Sequence, residues 1–423
     1  EVRQICIDTQ NMDGSRVVCA DIAAIDQTLV YNRFGSFNPF GMIFALNRDV
    51  TALTLGSEDG DVVDLSALEP PECADLLGTE TRASDVELSA GKVRLRDCKR
   101  PRPMVLRVNV GDTLVVHISN LLAPVVAPDF SEDFCDQRNR TTDHGRDAVR
   151  AAVAEGEKLL VEHGEATCRN DRAEDEIAER ASPPDWPNTR HVNFVVQGLV
   201  PLAMLGEDQP HQACYGTGAV APDADFFCRY HIQQEGTYFF ASLAAPAGGE
   251  GNGGSLVHGL FGAVVAQRPG SRWYRSQTTS GALNAVWEPT GPIPNQTRAA
   301  GPNYEGTDGA GVPILNMAMP LDSTAQSSFQ AADVIEIVHT DINAIIYCDP
   351  ETAGANCGPV SSGQDESSAT VEPTYSAFRE FSVFFHDELK TFYTKNFREL
   401  GEFGQLAGVK DGFAINYGAC GMG

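Results

Sequence analysis

The stretch MVLRVNVGDTLVVHISNLL, Met104 to Leu122, decides the class of fold. Met104, Leu106, Val108 and Val110 recur with period two, then Gly111-Asp112 makes a turn, then Leu114, Val116 and Ile118 alternate again. Side chains of a strand point to opposite faces in succession, so this is strand–turn–strand with one face of each strand inward. Outward from it, RHVNFVVQGLV (Arg190 to Val200), FFCRYHIQQEGTYFFASL (Phe226 to Leu243) and SLVHGLFGAVVAQRPG (Ser255 to Gly270) read as further strands. A second strand-rich region begins at PILNMAM and includes ADVIEIVHTDINAIIYC (Ala331 to Cys348) and FREFSVFFHDELKTF (Phe378 to Phe392). With 40 glycines and 24 prolines, the chain suits a loop-rich, all-β architecture.

Two segments break the strand pattern. Residues 131–181 are rich in Ala, Glu, Arg and Leu, with Val149, Val153, Leu159, Leu160 and Val161 at loosely helical spacing, and read as a charged, partly helical insertion. Residues 271–313 are dominated by Gly, Pro, Asn and Thr and read as a connector. The expected organisation is a first β-domain over 1–270, the connector, and a second β-domain over 314–423 that stops short of its closing strands. A chain of 423 residues is long enough for such a pair with well-filled cores.

The formal charge is −27, which opposes nucleic acid or an anionic lipid surface as partner, because both need a basic footprint. No apolar run approaches the ~20 residues that span a bilayer. Eleven cysteines are many for a reducing compartment. Cys6 with Cys19, Cys73 with Cys98, Cys135 with Cys168, Cys214 with Cys228, and Cys348 with Cys357 lie in local pairs spaced for loop-closing disulfides, although spacing alone does not dictate connectivity. Cys420 is left over for an intermolecular bond. A secreted, extracellular or periplasmic location is expected. Three familiar sites are unsupported: the acidic turn GSEDGDVVD lacks the regular spacing of a calcium loop, the glycine loop AAPAGGEGNGG lacks a following Gly-Lys-Ser/Thr, and no Gly-x-Ser-x-Gly elbow is present.

As a set, LVYNRFGSFNPFGMIFAL, VRLRDCKRPRPMVLRVNVGDTLVVHISNLL, RHVNFVVQGL, EGTYFF, GGEGNGG, GLFGAVVAQRPGSRWYRSQ, PILNM, EIVHTDINAII and FSVFFHDE…DGFAINYG resemble the N-terminal region of a large bacterial multicopper oxidase. The resemblance implies tandem cupredoxin domains, each a Greek-key β-sandwich, the first carrying the insertion. It also implies an oxidase that takes electrons from Mn(II), Fe(II) or a phenol at a type 1 copper and passes them to a trinuclear cluster that reduces O2 to water.

That family supplies its cluster with His-x-His pairs, whose alternate side chains point to one face of a strand end. Here the positions of the first pair read Val195, Val196, Gln197 and Gly198, and Ala241, Ser242 and Leu243 stand where the second pair follows Gly-Thr-Tyr-Phe-Phe. No His-Cys-His triplet for a type 1 copper occurs. The resemblance therefore implies a scaffold whose copper lies outside this chain. The remainder of the polypeptide, or another chain, would complete the second domain. The alternative is a non-catalytic extracellular assembly protein built of degenerate cupredoxin domains. Remaining candidates for a weak metal site are His231 and His258 near the substituted strand end, and His339 and the run His386-Asp387-Glu388 in the second domain, where imidazole beside carboxylate suits Mn(II) or Fe(II).

Overall fold

The computed structural model describes residues 2–31, 36–38, 40–52, 88–96, 99–124, 187, 189–245, 254–288, 291–293, 296–298, 301–309, 311–321, 332–348, 377–387, 392–393 and 414–417. The expected insertion over 131–181, the glycine loop at 246–253, Cys73, Cys98, Cys135, Cys168, Cys357, Cys420 and Glu388 lie outside them.

Strands dominate, as their alternation requires, and they form a β-sandwich-like pair of sheets. The larger sheet runs in the order Pro201–Leu202, Asp225–His231, Thr113–Asn120, Val17–Asp26, Val334–Ile337, Ala318–Pro320, with Met42–Leu46 paired to the second half of Val17–Asp26. The smaller sheet runs Met104–Asn109, Phe261–Gln267, Gly236–Ala241, Val195–Val196. Between them lies one apolar core: Val18, Ala20, Ile22 and Val116 of the larger sheet face Leu106, Val108, Val264 and Phe240 of the smaller. Phe44, Phe194 and Phe240 pack within it as a trio with ring centroids 4.5–5.8 Å apart. Full burial of each such ring contributes about 1.5–3 kcal/mol.

The Gly111-Asp112 turn does more than fold a hairpin. Met104–Asn109 belongs to the smaller sheet and Thr113–Asn120 to the larger, so the turn carries the chain across the core. Gly111 takes φ +93°, a conformation open to glycine, and its N–H donates to Ile232 O at 2.8 Å. Asp112 fixes the crossing: its Oδ2 accepts from Asn109 N at 2.6 Å, and Arg16 grips both carboxylate oxygens. Each strand then finds a parallel neighbour far away in sequence, Val17–Ala24 beside Thr113–Asn120 and Met104–Asn109 beside Gly262–Gln267.

The Gly-Leu-Phe-Gly run is explained by two close approaches. A Cβ on Gly262 would lie 2.3 Å from the Phe240 ring and 2.4 Å from Met104 O, and one on Gly259 would lie 2.7 Å from Met42 O. Both positions bring backbone against neighbours with no room for a side chain.

Strands from the second region join the first. Val334–Ile337 pairs in parallel with Val17–Cys19 in the larger sheet. Ser271–Arg275 pairs with Asn343–Cys348, which pairs with Phe378–Phe381, in a separate three-stranded sheet. A buried arginine ties this sheet to the sandwich: Arg107 donates to Glu380 Oε1 at 2.8 Å, to Asp341 O at 2.7 Å and to Ile342 O at 3.2 Å.

The helix Val2–Asp13 was not legible in the sequence. It lies on the outer face of the larger sheet, where Cys6, Val17, Cys19 and Val115 form a small core, and the Cys6–Cys19 disulfide holds it there. Cys214–Cys228 is the second expected disulfide that forms. Cys348 ends a strand, and its side chain is outside the described residues.

Described residues on either side of the expected insertion, Asn120, Ala123 and Arg190, meet in one knot. Arg190 donates to Ala123 O at 2.8 Å and forms a buried ion pair with Asp26, while Asp26 Oδ2 accepts from Ala123 N at 2.8 Å. Asn120 Nδ2 donates to Arg190 O at 2.8 Å. Residues on either side of the insertion are thus fixed by contacts within the sandwich.

Candidate functional site

The two stretches that the resemblance singles out come together. Val195–Val196 and Gly236–Ala241 are antiparallel neighbours, with Val195 opposite Ala241 and Val196 opposite Phe240. Side chains opposite each other in such a pair have Cβ atoms about 4.5–5.5 Å apart, which is the spacing at which imidazoles on both strands would share an ion. Neither side chain here has a donor atom. Ala241 is buried, Leu243 is exposed, and Gln197 is exposed with its N–H bonded to Phe239 O at 2.8 Å.

Hydrogen bonds from one residue hold this strand end. Asn193, buried, accepts from Leu243 N through Oδ1 at 2.6 Å and donates from Nδ2 to Gly218 O at 3.2 Å, while its own N–H reaches Ser242 Oγ at 3.3 Å. The turn after the strand is therefore pinned by an amide side chain.

The candidate histidines do not gather into one metal-holding group among the described residues. His231, exposed, ends its strand with Nδ1 3.5 Å from Thr113 Oγ1. His258 is fully buried, and Asn38 Nδ2 donates to its Nδ1 at 3.3 Å, which leaves the proton on Nε2. Asn38 is oriented for this because its Oδ1 accepts from Phe40 N at 2.9 Å.

His339 is buried and donates from Nε2 to Pro313 O at 2.8 Å. Burial, reinforced by the positive charges of Arg275, Lys99 and Arg48, holds it well below the usual imidazole range, so it is neutral. His386 is buried with neither ring nitrogen hydrogen-bonded, and burial pulls its pKa down to about 4. Asp387 next to it, just past the strand, is exposed. Among the described residues, no group of three or more His, Cys, Asp or Glu side chains is placed to hold a metal ion.

One titratable cluster escaped sequence reading. His117 lies on the outer face of the larger sheet, bonded through Nδ1 to Asp21 at 2.7 Å and through Nε2 to Asp225 at 3.1 Å, and stacked on Phe227. Burial lowers its pKa, but hydrogen bonds and charge from Asp21, then from Asp225, push it above the ordinary value. An imidazole that donates from both nitrogens is an imidazolium. Alternation places His117 opposite in direction to Val116 and Ile118, and Asp21 is its register partner. Parallel pairing at that register was the missing signal.

Compared with models of protein families and with curated proteins, the chain matches none. Among the described residues, no helix is long and apolar enough to cross a membrane.

Proposed function

We propose that this chain is the N-terminal scaffold portion of a secreted multicopper oxidase, built from cupredoxin-like Greek-key sandwiches and carrying no copper centre of its own. One observation supports the reading above the rest. The two stretches that the resemblance marks as substituted ligand pairs, far apart in sequence, are register partners at one strand end, Val195 against Ala241. A chance likeness in two separate stretches has no reason to bring them together.

On this reading, copper, O2 reduction and the oxidation of Mn(II), Fe(II) or a phenol belong to the rest of the polypeptide. This chain contributes a rigid support and, through its charge of −27, an acidic surface that concentrates metal cations. Two intrachain disulfides suit export to an oxidising compartment.

A second reading, a non-catalytic extracellular assembly module, draws on a different feature. Phe378 and Phe381 on the edge strand of the three-stranded sheet, and Val383 and Phe385 in the residues that follow it, are all exposed. Clusters of exposed apolar side chains mark contact surfaces.

Metal analysis separates the two. The full-length native polypeptide is measured for copper and for oxygen uptake with Mn(II), Fe(II) and a phenol, and residues 1–423 are measured alone. The oxidase reading expects copper and uptake in the first and no stoichiometric copper in the second. A copper-free native protein ends it, and copper bound by residues 1–423 ends the scaffold assignment.

A further inference from the structure

We propose that the segments 384–387 and 414–417 form a detachable strap on the sandwich, latched by His386 and released by acid. The two segments pair as a short ladder, Phe385 opposite Ile415 and His386 opposite Ala414. Asn416 closes it, with its N–H on Phe384 O at 3.0 Å and its Oδ1 on Phe384 N at 2.9 Å.

The strap meets the sandwich at one aromatic cluster. Phe261, at the head of its strand, contacts Phe384, His386 and Tyr417 with ring centroids 5.9, 5.0 and 5.1 Å away. Tyr417 OH donates to Gly259 O, and Ala414 and Tyr417 share a core with Leu29, Tyr31 and Ile43. A ladder of two residue pairs does not stay folded alone, so these contacts hold it.

Two features make the latch releasable. Asn416 and Tyr417 both sit at positive φ, +52° and +63°. Asparagine tolerates that conformation but tyrosine does not, so Tyr417 stays there only while its ring and hydroxyl are docked. The imidazole of His386 is enclosed with no hydrogen-bond partner on either nitrogen, and the backbone of Val257 lies close but outside bonding geometry.

Among the described residues, the titratable and charged groups around His386 are few. Asp387 is its neighbour on the strap, His258 lies beside Val257 in the loop packed against it, and Tyr417 faces it from the paired segment, with Tyr31 behind. Of these, Asp387 is the anion, and it is exposed. The docked site thus accepts the neutral ring and penalises the cation.

The sign follows from where each form titrates. Released, His386 protonates at the ordinary imidazole value of 6.5; docked, at about 4. Below 6.5 the released strap gains a proton that the docked strap refuses, so docking weakens as pH falls and levels off below about 4. Across that window the equilibrium shifts by on the order of 10²-fold. None of this depends on whether the polypeptide carries copper.

Hydrogen exchange on residues 1–423, corrected for intrinsic rates and read by mass spectrometry at pH 7 and pH 4.5, tests the latch. The wild type is expected to lose protection over 414–417 by tens-fold at pH 4.5, with Val17–Asp26 and Thr113–Asn120 unchanged. His386→Phe keeps a ring that does not titrate and is expected to change by less than about threefold over the same range. His386→Gln serves the same comparison if the phenylalanine variant fails to protect the sandwich strands. Equal protection at both pH values in the wild type overturns the proposal. So does an undiminished acid effect in whichever variant folds, which would move the titrating group elsewhere, His339 included.

Discussion

Replacing Arg107 with Met is predicted to cost about 3 kcal/mol of stability. The guanidinium is almost fully enclosed and holds three acceptors at once: the Glu380 carboxylate and the carbonyls of Asp341 and Ile342. Removing one partner of a buried ion pair typically costs about 3–5 kcal/mol, because the other charge is stranded. Glu380 is not wholly stranded. Its side chain is 16% exposed and Gln267 Nε2 still donates to its second oxygen, which places the loss at the low end. Two carbonyls also lose a charged donor. In equilibrium urea unfolding followed by tryptophan fluorescence, with Trp273 in the core as reporter, a slope of about 3 kcal/mol/M turns the loss into a midpoint drop of about 1 M. The double variant Arg107→Met, Glu380→Met removes the stranded charge and is expected to recover at least about 1 kcal/mol of it. A single-variant loss below about 1 kcal/mol, or a double variant no more stable than the single, would refute the assignment of Arg107 as the bolt between the three-stranded sheet and the sandwich.

Three shorter tests address other parts of the molecule. Because the His117 pKa is raised in the fold, its contribution to stability is fully present below its unfolded pKa and is lost as pH rises through the folded one; His117→Gln should flatten that alkaline decline in urea midpoints. Replacing residues 126–186 with a short Gly-Ser linker should leave the sandwich folded, with a midpoint unchanged or raised, since Arg190, Asp26, Ala123 and Asn120 already hold the ends together; aggregation of that protein would count against the knot. Gly262→Ala should cost about 1–3 kcal/mol or prevent folding, because its new methyl meets Phe240 and the Met104 carbonyl, and a neutral result in thermal unfolding would contradict the packing described.

What the sequence disclosed follows from what period two can carry. Alternation through Met104–Leu122 identified both strands, because inward faces need apolar residues whatever they pair with. It held no information on partners, so the crossing of the core at Gly111-Asp112 and the parallel pairing with Val17–Ala24 were invisible. The helix Val2–Asp13 buries only Cys6 and Thr9 and leans on a disulfide, so its apolar periodicity is weak. The pair Cys6 and Cys19 was readable while the helix it anchors was not. His386 and Asp387 are adjacent in sequence, yet His386 is buried and Asp387 exposed, so adjacency did not disclose their separate surroundings. His117 shows the reverse. Its partners lie 96 and 108 residues away, and only the strand register brings them into reach.

The strand end at Val195 and Ala241 is held by hydrogen bonds from the chain itself. Asn193 ties the turn after Ala241 to the neighbouring strand through its amide, taking Leu243 N on one side and Gly218 O on the other, and its backbone joins Ser242. Behind it, Phe194 and Phe240 pack at 4.5 Å in the main core. Three hydrogen bonds at a buried site, each worth about 1 kcal/mol net, together with that aromatic contact, hold the geometry by burial and ladder bonding. The sandwich is then stabilised by its core, and its strand end keeps its shape through these bonds.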